Sequence, residues 1–176
     1  MEDLKQGLCI LLMGVSSSGK SSVGSALAKA IDAKFIDGDD LHPKANILKM
    51  SSGEALNDTD RGPWLERIRD AAFSIGHKHE QGVIVCSALK RRYRDQIRDG
   101  NHHLIFLHLY GDIDLVAKRM QQRKNHFMPQ SLLQSQFDAL EIPSEDETDV
   151  ITISIDGNFQ EVVDRCISAV KSHLES

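Results

Sequence analysis

Gly14-Val15-Ser16-Ser17-Ser18-Gly19-Lys20-Ser21 follows the pattern G-x-x-x-x-G-K-[ST], and each fixed residue in it has a chemical task. The glycines let a loop close around phosphate oxygens, while the loop amides and the next helix start supply positive partial charge. The lysine reaches the β/γ-phosphate region, and the hydroxyl can ligate Mg²⁺. Lys20 and Ser21 fill those last two roles, with Ser22 next in the helix. The chemistry implied is the binding of a nucleoside triphosphate. The competing reading is a serine-rich turn between two core elements.

Acids follow in Asp37-Gly38-Asp39-Asp40-Leu41-His42-Pro43. A carboxylate here can orient an acceptor hydroxyl and take its proton as a phosphoryl group transfers. Asp39 is the residue assigned to that role; alternatively, Asp39 or Asp40 caps the next helix. His42 is expected to contact substrate, with capping or packing as the other possibility.

Arg119 and Arg123 lie four residues apart, hence on one helical face, and His126 follows. Guanidinium groups that swing over a triphosphate stabilise charge on the transferring group and exclude water. Arg119 is read as a nucleotide contact, Arg123 as catalytic and His126 as a substrate contact, within a lid of about residues 119–138. A solvated helix face is the bland alternative. A second basic run, Lys90-Arg91-Arg92-Tyr93-Arg94, opens a helix, where cations oppose the dipole and a bound anion would explain them. Lys90 and Arg94 are the candidates for an acidic substrate, unless Arg94 or Arg91 pairs with nearby acids.

These groups need elements to hold them. Apolar runs predict strands at 8–13, 34–37, 83–86, 104–110 and 150–155. Helical patterns fall at 20–31, 42–50, 63–79, 90–98, 113–123, 129–140 and 158–174. Alternation of this kind implies a three-layer α/β/α sandwich with a mostly parallel five-stranded sheet and a helical lid. Ligands then collect beyond the carboxyl ends of the strands, where the residues above lie.

The chain has 176 residues, 40% of them hydrophobic and 27% charged, which fits one soluble domain spanning 1–176. Its formal net charge of −5 gives no overall pull toward nucleic acid. No apolar stretch approaches a membrane span and Met1 to Gln6 is no signal peptide, so a cytoplasmic location is expected. Cys9, Cys86 and Cys166 read as reduced core residues, and the spacings of His77/His79 and His102/His103 do not suit a metal site.

Guanine-reading N-K-x-D and switch D-x-x-G tetrapeptides do not occur, and the strand Val83-Ile84-Val85-Cys86 ends in Ser87-Ala88-Leu89 rather than a metal-binding aspartate. Switches and hydrolysing motors are therefore disfavoured against a small-molecule kinase.

Several segments together resemble the gluconokinase family of P-loop sugar-acid kinases. They are Met13 to Ser21; Phe35 to Pro43 with Asn46, Lys49 and Met50; Gly53-Glu54-Ala55-Leu56-Asn57-Asp58-Thr59-Asp60-Arg61-Gly62-Pro63-Trp64-Leu65; Cys86 to Asp95; His126-Phe127-Met128; and Ser135-Gln136-Phe137 with Leu140, Glu141 and Pro143. The resemblance implies transfer of phosphate from ATP to the 6-hydroxyl of D-gluconate, with Mg²⁺ and a homodimer. It also puts Arg61 at the substrate or in an ion pair that fixes its loop, and Trp64 in the core beneath. Lys20 and Arg123 would spread the developing charge. Ser17 and Asn125 stand where the family often has glycine, and Ala55 where proline is frequent. A kinase for another small hydroxy acid or a nucleotide, or a non-catalytic ATP-binding regulator, are the rival readings.

Overall fold

The computed structural model describes residues 7–15, 18–122 and 130–175. The strands are β1 (Leu8–Met13), β2 (Lys34–Asp37), β3 (Gln81–Val85), β4 (Leu104–Tyr110) and β5 (Val150–Ser154). The helices are α1 (Lys20–Ala30), α2 (Lys44–Ser51), α3 (Asp58–His77), α4 (Arg91–Arg98), α5 (Ile113–Gln122), α6 (Gln130–Ala139) and α7 (Phe159–Glu175), with a 3₁₀ turn at Gly38–Leu41. One sheet runs in the order β2-β3-β1-β4-β5, and each pairing is parallel.

Residues of β1 alternate between two cores, as the strand period requires. Leu8, Ile10 and Leu12 join Val23 and Leu27 of α1, Val116 of α5, Leu133 of α6 and Val163 of α7. Cys9, Leu11 and Met13 join Trp64, Leu65 and Ile68 of α3, with Tyr93 and Ile97 of α4. A central strand covered on both faces reads as a continuous apolar run, which is why β1 could be placed from sequence. Central β1 then delivers the Gly14 loop to the middle of the sheet's carboxyl edge.

Most boundaries fall within two residues of expectation, but α3 starts at Asp58 rather than Pro63. Its start is a capping box: Asn57 Oδ1 accepts from the Asp60 amide at 2.8 Å, and Asp60 accepts from the Asn57 amide at 2.9 Å. Pro63 lies inside the helix, so it does not mark the start. In α7, Val162, Val163, Cys166 and Val170 are buried in the chain's own core. The three cysteines are free and buried, and burial pushes each thiol up to about 12. Among the described residues, no helix is long and apolar enough to cross a membrane.

Candidate active site

The loop after β1 is shaped by what cannot fit in it. Gly14 has φ +149°, and a Cβ there would lie 2.7 Å from the Leu109 carbonyl oxygen, so the loop can follow this path only with glycine. Lys20 Nζ donates to the carbonyls of Gly14 at 2.8 Å and Val15 at 2.9 Å. Burial lowers Lys20 to about 8, although Cys86, Asp39 and Asp37 each favour its charged form. The Ser18 hydroxyl is buried without a hydrogen-bond partner among the described residues. An orphaned hydroxyl beside a lysine and a helix start fits a phosphate group. Ser21 and Ser22 are exposed in the first turn of α1, so Ser21 is free to ligate Mg²⁺. Ser16 and Ser17 lie outside the described residues.

Asp39 is held out by its neighbours. Asp37 accepts a hydrogen bond from the Asp39 amide at 3.0 Å and caps the 3₁₀ turn. A Cβ on Gly38 would fall 2.3 Å from the Val85 carbonyl, and Trp64 Nε1 donates to the Gly38 carbonyl at 2.8 Å. The turn is thereby pinned to the sheet edge with the Asp39 side chain exposed. Neither Asp39 nor Asp40 caps α2, whose cap position is Pro43 and has no side-chain bond. The capping alternative thus fails for both residues. The charge of Asp39 favours the protonated forms of both Lys20 and His42.

His42 is buried, stacked on Trp64 with centroids 4.3 Å apart, and its Nδ1 lies 3.2 Å from Asn46 Nδ2. Burial lowers its pKa, which favours the neutral ring. Packing explains His42 here, and Trp64 is the buried support expected of it. Asn46 Nδ2 also donates to the Asp60 carbonyl at 3.0 Å, while Lys49 pairs with Asp60 at 2.6 Å. The start of α3 is fastened to α2 through these contacts.

The basic run of α4 divides into two sets. Arg94 is fully buried. Its Nε and Nη2 meet Glu147 at 2.7 and 2.8 Å, Nη1 donates to the Ala88 and Leu89 carbonyls at 3.0 and 3.1 Å, and Nη2 also donates to the Glu141 carbonyl at 2.9 Å. A guanidinium has five N–H donors, and all are engaged. The expectation that Arg94 holds substrate is therefore corrected: it has no donor left, and its partners fix the turn at Ala88, whose φ is +45°. Lys90 and Arg61 are different. Both are about one-third exposed and pair with Asp58, at 3.5 and 3.9 Å, and Arg61 Nη1 donates to the Tyr93 hydroxyl at 3.3 Å. Arg92 joins them, 2.6 Å from Asp58. Asp58, Arg92 and Tyr93 were not singled out from the sequence; acids at a helix start and basic residues on a surface are too common to signal.

Arg119 donates from Nη2 to the carbonyls of Ile155, at 2.8 Å, and Gly157. It borders an open groove of about 490 Å³ with Leu115, Lys118, Asp156, Asn158 and Phe159, beyond the carboxyl end of β5. The switch-edge rule that flagged the other strand ends could have found it. Arg123 and His126 lie outside the described residues. On β4, His108 is buried with its Nδ1 unpartnered among the described residues, and burial, then the charge of Arg94, holds it down to about 4.

The shikimate kinase family model matches residues 16–171. The chain is 53% identical to the thermosensitive gluconokinase of Escherichia coli K12, over 93% of this chain and 88% of that one. It is 49% identical to the thermoresistant gluconokinase of the same organism, over 92% of each. A solved structure of a gluconokinase from Sinorhizobium meliloti superposes with a TM-score of 0.86 at 42% identity, covering 99% of this chain and 96% of that one. Likeness of that extent, on a fold that sets an exposed aspartate beside a phosphate loop, leaves one assignment: the chain belongs to the gluconokinase family.

Proposed function

We propose that the chain phosphorylates D-gluconate at its 6-hydroxyl with ATP, giving 6-phospho-D-gluconate and ADP. The observation that carries this reading is the position of Asp39, exposed in the turn that follows β2 at the sheet's carboxyl edge, where its charge favours protonated Lys20 and His42. The loop of residues 14–21 holds the triphosphate, with Lys20 at the transferring phosphoryl group. Ser21 would hold Mg²⁺, which when bound would supply charge neutralisation at the phosphate oxygens. Asp39 accepts the hydrogen bond of the acceptor hydroxyl, orients it and takes its proton as the oxygen attacks in line. Lys90 and Arg61, with Arg92, receive the gluconate carboxylate. Arg119 and the groove beside it take the nucleoside end of ATP. Arg123 adds charge stabilisation and His126 a substrate contact, within the lid of about residues 119–138. A cytoplasmic homodimer remains part of the proposal.

The test is a coupled ADP-release assay over gluconate, other aldonates, shikimate and nucleoside monophosphates, run on the wild type and Asp39→Asn. Gluconate is expected to be the preferred acceptor, and Asp39→Asn to lose about 10²–10⁴ in kcat with ATP affinity retained. Near wild-type turnover in Asp39→Asn would sink the assigned role, and preference for another acceptor would sink the substrate.

A further inference from the structure

Two clusters of cations meet on α4, and their charge balance differs. Arg91, Arg94 and Arg98 face Asp95, Asp146, Glu147 and Asp149, so these three cations are already outnumbered by acids. Around Asp58 the balance is reversed. Its carboxylate accepts from the Tyr93 hydroxyl and lies 2.6 Å from Arg92, 3.5 Å from Lys90 and 3.9 Å from Arg61. The same three cations sit 5.7–5.9 Å from the Tyr93 ring centroid. One carboxylate thus holds three partly exposed cations in a single array, with positive charge left over.

Asp58 is also the first residue of α3, where helix amides favour an anion. The capping box at Asn57 and Asp60, with Lys49 on Asp60, keeps that helix start in place. Asp58 is therefore a carboxylate tethered at the focus of the cations assigned above to the gluconate carboxylate.

We propose that Asp58 is an internal stand-in for the substrate carboxylate, which gathers Arg61, Lys90 and Arg92 and is then displaced from them by the incoming acid. This rests on the reading that those cations receive gluconate. Its consequence is specificity: a neutral polyol brings no charge to exchange for Asp58, so the cations stay with Asp58. A second consequence is weaker holding of the acid product, which Asp58 helps to expel.

The experiment compares wild type, Asp58→Asn and Asp58→Ser, measuring KM and kcat for gluconate, KM for ATP, and competitive inhibition by D-glucitol, the alditol with the same hydroxyl row and no carboxylate. Asparagine keeps an acceptor for Tyr93, and serine is suited to a helix start. Gluconate KM is expected to fall about tenfold in both variants, a factor equivalent to about 1.4 kcal/mol, while ATP KM and glucitol inhibition stay put. A rise or no change in gluconate KM overturns the proposal, because Asp58 would then only organise the cations. Equal shifts for gluconate and glucitol, or loss of folding in both variants, overturn it as well. Lys90→Met tests the underlying reading separately: if it leaves gluconate KM unchanged, the cations do not receive the carboxylate, whatever Asp58 does.

Discussion

Lys20 carries a charge that its surroundings resist, since burial draws its pKa from 10.5 to about 8. Between pH 8 and 10.5 the unfolded chain keeps a proton that the folded chain has released, so this group makes stability rise with pH across that window. A triphosphate bound as proposed would restore the charged form. At pH 9, ATP binding should therefore take up close to one proton through Lys20, and at pH 7 almost none. Titration calorimetry in buffers of different ionisation enthalpy measures this directly. Absence of uptake at pH 9, or its persistence in Lys20→Met, would count against the assignment. Lys20 could be nominated from the sequence because its motif is contiguous, and Asp39 because it follows a strand end. Arg94 was misread, because its decisive partner Glu147 is 53 residues away and nothing local marks that pairing.

At the scale of elements, Arg94 joins α4 to the segment that leads from α6 into β5. Arg98 extends the tie, meeting Glu147 at 2.6 Å and Asp149 at 2.8 Å, and the Arg91 amide donates to Glu141 at 3.0 Å. Removing Arg94 leaves buried Glu147 with Arg98 alone and strips the Ala88, Leu89 and Glu141 carbonyls of their donor; breaking a buried pair from one side costs about 3–5 kcal/mol. Arg94→Met should lower Tm on the order of 10 °C, and the double variant Arg94→Met/Glu147→Leu should recover only part of it, because the three carbonyls stay without a donor while Arg98 keeps Asp95 and Asp149. Calorimetric melting decides: a single variant that melts within a degree or two of wild type would mean that Arg94 is not the clamp described. Sequence reading placed these helices well because their apolar periodicity is local. It misplaced the start of α3 by trusting Pro63 over the Asn57/Asp60 box. That box depends on side chains turning back on the chain, which a search for apolar periodicity does not register.

For the whole molecule, the proposed site roles fall on opposite faces of the sheet. α1, α5 and α7 cover the face behind the phosphate loop and the groove at Arg119, while α3 and α4 cover the other and carry the Asp58 cations. Transfer needs both halves filled, and water must be kept from the phosphoryl group until then. ADP release without gluconate should accordingly run at least about a hundredfold slower than with it. A comparable rate in the absence of acceptor would sink that coupling. The sandwich itself was foreseeable from alternating strand and helix patterns. Which helix covered which face was not, since strand order is set by long-range pairing.

The alternation of β1, with Leu12 turned to one core and Met13 to the other, bears on how such a chain can vary over generations. Substitutions that remodel the half proposed to bind the acid would be absorbed by a core that shares no side chain with the one behind the phosphate loop. A lineage can try new acceptors without gambling its phosphate donor. Inherited change in substrate taste becomes a local edit, with Asp39 and Lys20 as the fixed boundary across which the two halves must still meet.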